Sequence, residues 1–285
     1  MSGAHVNPKS ALRARMREAI GTIGAAARVA CARRAADLAL RSPPFARAQL
    51  VLAYRALPDE IDADPLVREL LARGVRIAFP LVVDAGGVGA GAAKDARENA
   101  EREEIGREEI GREKPAHANP LRSLRLLAIE PRGGPSGEPG ADDILAVHAP
   151  DALWRTDRFG IRAPNPDSAR VRRVQPRDID AVIVPGRAFD ARGARLGRGK
   201  GFYDALLARL RPDARAATIG LAFETQVVER VPEDAHDARV AWIATDRRLR
   251  RAVDPERPAA RARPSDEAEV GLDDAPREPA PRERA

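Results

Sequence analysis

The residues best equipped for chemistry lie in one decapeptide, Arg195-Leu-Gly-Arg-Gly-Lys-Gly-Phe-Tyr-Asp204, with glycines at 197, 199 and 201 and cations at 195, 198 and 200. A loop of this composition can cradle phosphate. Its glycines let backbone N–H groups approach an anion closely, and the cations add mobile positive charge. Three cations on one small loop repel each other unless an anion lies among them. The string is not a Walker A loop, because Gly201 rather than Ser or Thr follows Lys200, and it is not the dinucleotide G-x-G-x-x-G. Taken alone it serves equally as a solvated surface turn. Asp204 follows in the first turn of the next element, where a carboxylate either complements the helix dipole or ligates magnesium beside a triphosphate.

The elements around the loop are expected to place it between a strand and the helix that follows. Ala181-Val-Ile-Val184 is a β-branched run ended by Pro185-Gly186, and Leu206, Leu207 and Leu210 recur at helical spacing, so the order is strand, loop, helix. Asn7 and Pro8 read as an N-cap and first-turn pair opening a long helix to about Arg41, broken near residues 21–24. Its apolar stripe is Leu12, Met16, Ile20 and Ile23; Lys9 falls within that stripe and Arg13 on its flank. Residues 50–54 form a strand, a helix starting at Pro65 ends at Gly74, and a second strand spans residues 75–79, which makes a parallel βαβ unit. Ligands of such sheets lie beyond the carboxyl ends of the strands, where Asp59 and Glu60 stand. Asp62 and Asp64 are better placed to cap the next helix, which leaves Glu60 for substrate.

Further strands are expected at residues 124–129, 216–223 and 240–245, giving an α/β fold with a single open, mainly parallel sheet flanked by helices in three layers. At 285 residues with 24 prolines and 32% charged residues, one domain of about 200 residues plus unfolded segments is expected. The unfolded parts should be an insertion at residues 84–119, where Arg-Glu-Glu-Ile-Gly repeats with a period of five, and an Arg/Pro/Glu-rich tail at residues 250–285, leaving residues 1–249 as the domain. A net charge of +6 and a pI near 10.1 do not by themselves choose between nucleic acid and small anions. Aromatics at 4% provide no stacking platform for single strands. The lone Cys31 forms no internal disulfide, and His5, His117, His148 and His236 are too scattered for a zinc cluster. No stretch is apolar enough to span a membrane, and a cytoplasmic protein is expected.

With these stretches in place, the chain resembles the 5-formyltetrahydrofolate cyclo-ligase family, also called methenyltetrahydrofolate synthetase. The resemblance rests on residues 9–13, on Asp59-Glu60-Ile61, on Val184-Pro-Gly-Arg-Ala-Phe-Asp190 leading into the glycine loop, and on the late turn at residues 232–237. It implies ATP and magnesium as cofactors. Lys9, Ser10, Ala11, Leu12 and Arg13 would contact ATP, together with Arg195, Leu196, Gly197, Arg198, Gly199, Lys200, Gly201, Phe202 and Tyr203. Asp204 and Asp237 match magnesium-associated acids; Arg55, Glu60 and Phe159 would meet the folate. Phe202 stands where the family has tyrosine. The implied reaction closes 5-formyltetrahydrofolate, with or without a polyglutamate tail, to 5,10-methenyltetrahydrofolate with release of ADP and phosphate. Formyl oxygen attacks the γ-phosphorus and N10 then closes on the activated carbon, with Lys200 and Arg198 stabilising the transferring group and Glu60 orienting the pterin. A monomer is expected. Two other readings are a nucleic-acid-associated protein on the same fold, binding through its basic tail, and an α/β enzyme for a sugar phosphate or acyl carrier.

Overall fold

The computed structural model describes residues 7–82, 124–129, 153–156 and 161–253. The period-five insertion, Phe159 and the chain beyond Val253 lie outside the described residues.

The long amino-terminal helix is broken where expected, between residues 21 and 25, into two helices. α1 (Pro8–Gly21) is capped by the Asn7 side chain, which accepts from Lys9 N at 2.9 Å, and α2 (Ala25–Ala39) restarts after Gly24, whose ψ of 156° is extended. The break lies where glycines at 21 and 24 make helix continuation unfavourable. β1 (Leu50–Leu52), α3 (Asp64–Ala72) and β2 (Arg76–Val82) form the expected parallel βαβ unit, with Val51 opposite Ile77. β3 (Leu124–Ile129) returns antiparallel to β2, and β4 (Trp154–Thr156) pairs with β5 (Arg162–Pro164) as a separate ribbon. β6 (Val171–Val174), β7 (Ala181–Val184) and the hairpin β8 (Ala188–Phe189) and β9 (Arg195–Leu196) lead into α4 (Phe202–Leu207). α5 (Pro212–Ala216), β10 (Thr218–Leu221), β11 (Trp242–Ala244) and β12 (Leu249–Arg251) complete the described chain.

The main sheet runs β12-β11-β10-β7-β1-β2-β3-β6. The five strands from β11 to β2 are mutually parallel and the outer strands antiparallel, so the sheet is open and mainly parallel as expected. Alternate residues sort to two cores. Val51, Ala181 and Ile183 pack with α2 and α3 on one face; Leu50, Leu52, Val182 and Val184 pack with Leu206, Leu207 and Ala214 on the other. A period of two with both faces covered produces uniformly apolar strands such as Ala181–Val184.

The expected start of the tail at residue 250 is too early. Arg250 lies opposite Ile243 in the β11–β12 pair and its Nη2 donates to Glu224 Oε1 at 2.6 Å, while Leu249 is buried. Arginines on an outer strand keep its exposed edge charged, which disguises a strand as tail in the sequence. Among the described residues no helix is long and apolar enough to cross a membrane.

Candidate active site

At the carboxyl ends of β1 and β7 a cavity of about 490 Å³ opens. One wall is the glycine loop from Gly197 to Gly201, another carries Arg55 and Glu60, and Phe79, Pro80, Leu124 and Ile161 supply apolar surface. A mostly apolar pocket with a few convergent polar groups is what a flat organic ligand requires. The βαβ unit and the glycine loop are far apart in sequence; β1 and β7 are adjacent in the sheet, and that adjacency brings Glu60 to the loop.

The loop cations do not repel one another, because each of two has an acid. Arg195 is buried and its Nη2 donates to Asp204 Oδ1 at 2.6 Å, while its guanidinium lies 5.8 Å from the Tyr203 ring centre. Arg198 Nε donates to Glu60 Oε1 at 3.0 Å and Arg198 Nη2 to Asp59 Oδ1. Glu60 Oε2 accepts from Leu57 N at 3.0 Å, so this carboxylate is held at both oxygens. Lys200 is exposed, and among the described residues it has no hydrogen bond or ion pair. Positive φ at Gly199 (90°) and Gly201 (69°) gives the loop a path that other residues rarely follow.

The amino-terminal cations reach the loop from outside the cavity. Arg13 Nε donates to Gly197 O at 2.9 Å. Lys9 Nζ lies 2.6 Å from Asp234 Oδ2 and 2.5 Å from Asp237 Oδ2. Burial alone would raise the Asp237 carboxyl, but the hydrogen bonds from Lys9 and Asp234 N outweigh it and hold it below its ordinary value. Ala238 N in turn donates to Asp204 Oδ1 at 3.3 Å, which ties the late turn to the loop. Asp234, His236 and Asp237 offer ligand atoms within 4.8 Å of one another. Ser10 and Ala11 are exposed on α1. The side chains of Leu12 and Leu196 are buried in one apolar cluster with Met16, Ala188 and Val231 and pack α1 onto the β8–β9 hairpin, which leaves only their backbone to meet a nucleotide.

Among the wall residues, Tyr203 and Phe202 were expected from the sequence and Arg187 was not. Tyr203 was grouped with the loop, yet its hydroxyl is buried with no hydrogen-bond partner among the described residues. Burial, reinforced by the Glu60 charge, pushes its ionisation well above the ordinary range, so it is a neutral donor. Phe202 lines the same cavity and brings no hydroxyl. Arg187, one residue after Pro185-Gly186, is buried and pairs with Asp59. A cation just past the carboxyl end of a parallel strand is the signal that could have found it.

Arg55 is held by Asp64 at 2.8 and 2.7 Å and lies 5.3 Å from the Trp154 ring centre. Burial first, then the Asp62 charge, push Asp64 up to about 6 despite Arg55. A carboxyl raised in the folded state binds its proton more tightly there than in the unfolded chain. Its stabilising contribution is therefore full below its ordinary value near 4 and lost as pH rises through about 6. Asp64→Asn is expected to remove that part of the pH dependence. Urea midpoints of both proteins at pH 4.5 and 7.5 measure it; the same pH-induced change in both would contradict it.

Residues 134–246 match the sequence model of the 5-formyltetrahydrofolate cyclo-ligase family. The 5-formyltetrahydrofolate cyclo-ligase of Mus musculus is 35% identical over 91 residues, 31% of this chain and 45% of that protein. That of Escherichia coli K12 is 24% identical over 213 residues, 74% of this chain and 86% of that protein. The alignment thus spans about half the length of relatives such as the mouse protein, and more of the bacterial one. The NMR structure of 5,10-methenyltetrahydrofolate synthetase from Aquifex aeolicus superposes with a TM-score of 0.57 at 26% identity, covering 87% of this chain and 94% of that one. Residues 134–246, which carry the glycine loop and the late turn, are therefore similar to the 5-formyltetrahydrofolate cyclo-ligase family.

Proposed function

We propose that the protein closes 5-formyltetrahydrofolate to 5,10-methenyltetrahydrofolate with hydrolysis of ATP. The observation that carries this reading is the cavity itself, which joins Glu60, from outside the family-matched stretch, to the glycine loop within it. The apolar wall accepts a pterin face, and the Glu60 carboxylate accepts from ring N–H groups. Lys200 and Arg198 lie where they would draw charge from a transferring phosphoryl group, and loop N–H groups hold the phosphates in line. Arg198 and Glu60 are bonded to each other, so ligand binding exchanges one contact for another and exposes no unpaired charge.

Asp204 and Asp237 carry the oxygen donors that magnesium prefers, and the Ala238 contact holds their segments together, so the residues present fit that ion. Bound there, it would neutralise charge on the phosphate oxygens. Asp204 Oδ2 and Asp237 Oδ1 are the oxygens left by the Arg195 and Lys9 bonds.

The test is the ATP- and magnesium-dependent appearance of methenyltetrahydrofolate absorbance from 5-formyltetrahydrofolate. No product from folded, ATP-binding protein would overturn the reading. Tyr203 provides a finer check. Its partnerless hydroxyl in the cavity wall calls for a ligand atom. Tyr203→Phe is expected to lower kcat/KM by about five- to tenfold with no loss of thermal stability. Unchanged kinetics would mean that the hydroxyl meets nothing.

A further inference from the structure

We infer that Arg187 is a positioning residue that sets the orientation of Arg198 through a carboxylate they share, Asp59. The inference rests on the functional reading above and adds a residue that the reading does not use.

The backbone of Arg187 is fixed on both sides. Its N donates to Leu196 O at 2.7 Å, and the buried Gln226 Nε2 donates to Gly186 O at 2.8 Å and Arg187 O at 3.2 Å. These bonds anchor it to the β8–β9 hairpin and to the segment after β10. From this frame the side chain, 6% exposed, brings Nη1 into an ion pair with Asp59 Oδ2, while Arg198 Nη2 donates a hydrogen bond to Oδ1 of the same carboxylate. The two guanidiniums therefore occupy different oxygens of one acid. Arg198 closes the arrangement on Glu60 Oε1.

Two guanidiniums with Asp59 and Glu60 make a neutral group, so each cation is tolerated beside the other. Burial first, and the nearby Arg198 charge second, weaken proton binding at Arg187, and Asp59 opposes both. Arginine still keeps its charge throughout the working pH range. The mobile partner is Arg198: it sits between Gly197 and Gly199, on a loop of little intrinsic stiffness, with its side chain 36% exposed. A rotor of that kind finds one orientation only if the acid that receives it is itself fixed. Arg187 fixes Asp59 from the buried side, and Asp59 presents the remaining oxygen to Arg198.

Arg187→Leu and Asp59→Asn are each prepared in the wild-type and in the Arg198→Ala background, with Arg187→Lys as the charge-conserving control. Each is expected to lower cyclo-ligase kcat/KM by about ten- to a hundredfold in the wild-type background, and by under about twofold once Arg198 is gone. Arg187→Lys should recover part of the loss. In the ligand-free protein, amide exchange at residues 197–201 should quicken in both variants while β7 and β10 stay protected. Equal losses in both backgrounds, or unchanged loop exchange, would overturn the inference. Should Arg187→Leu not fold, Asp59→Asn, which retains Arg187, carries the same comparison. A wild-type protein without turnover would overturn the functional reading alone, and loop exchange would still decide the role of Arg187.

Discussion

Lys200→Ala is expected to lower turnover by about a hundred- to a thousandfold and to leave stability within about 0.5 kcal/mol of wild type. The two halves of this expectation come from the same observation. Arg195 is bound to Asp204 and Arg198 to Asp59 and Glu60, so the loop's positive charge that is not already neutralised resides on Lys200. An exposed ammonium without a protein partner contributes little to folding. It is free, however, to meet charge that develops on a phosphoryl group, where a positioned cation has its largest effect. Steady-state rates and urea denaturation of the same preparations test both halves. Turnover within threefold of wild type would remove Lys200 from the chemistry, and a large drop in stability would show that its role is in the fold.

The largest effect on folding is expected at Asp190. This residue is fully buried and accepts four hydrogen bonds: from Arg192 N at 2.9 Å, Ala194 N at 3.2 Å, Val231 N at 3.0 Å and Arg192 Nη2 at 2.8 Å. It thereby shapes the β8–β9 turn and ties it to the segment that leads to the late turn. Asp190→Ala leaves these donors without their acceptor and Arg192 with Glu233 alone, and should destabilise by about 3–5 kcal/mol. Asp190→Asn should lose less, since one amide oxygen still accepts. Denaturant midpoints at constant m value give the comparison. A loss below about 1 kcal/mol for the alanine variant would mean that water replaces the carboxylate, contrary to its full burial.

The inner strands of the sheet were legible because they are covered on both faces and read as apolar runs, whereas the outer β6 (Val-Arg-Arg-Val) and β12 (Leu-Arg-Arg) were not. β7 and β3 match the expected spans, and Asp59 and Glu60 stand beyond β1 as the βαβ rule requires. Less legible were interactions that join distant segments. Nothing local indicates that Lys9 meets Asp237, 228 positions away, or that Arg198 meets Asp59, 139 positions away. The resemblance grouped Lys9, Asp237 and Arg198 as one site without saying how they touch, and the loop's composition alone suggested three cations in need of an anion. It also swept Leu12 and Leu196 into the nucleotide set because they are contiguous with charged neighbours, although helix and hairpin geometry turns both inward. Arg187 went unremarked for the opposite reason: its place just past the carboxyl end of β7 is a faint signal among the many arginines of this chain, and its burial is what makes it stand out.

The position of β1 has a consequence for how the protein is made. β1 lies between β2 and β7, and Asp180, just before β7, accepts from Leu50 N across 130 positions of chain. On the ribosome, at roughly 5–20 residues per second, about 6–26 s separate the appearance of these two partners. Throughout that interval the nascent βαβ unit presents the bare edge of an apolar strand, the surface most prone to pair with the wrong chain. Slower synthesis lengthens that interval, so the yield of soluble protein should depend on translation speed and on chaperones that shield β1 until β7 emerges.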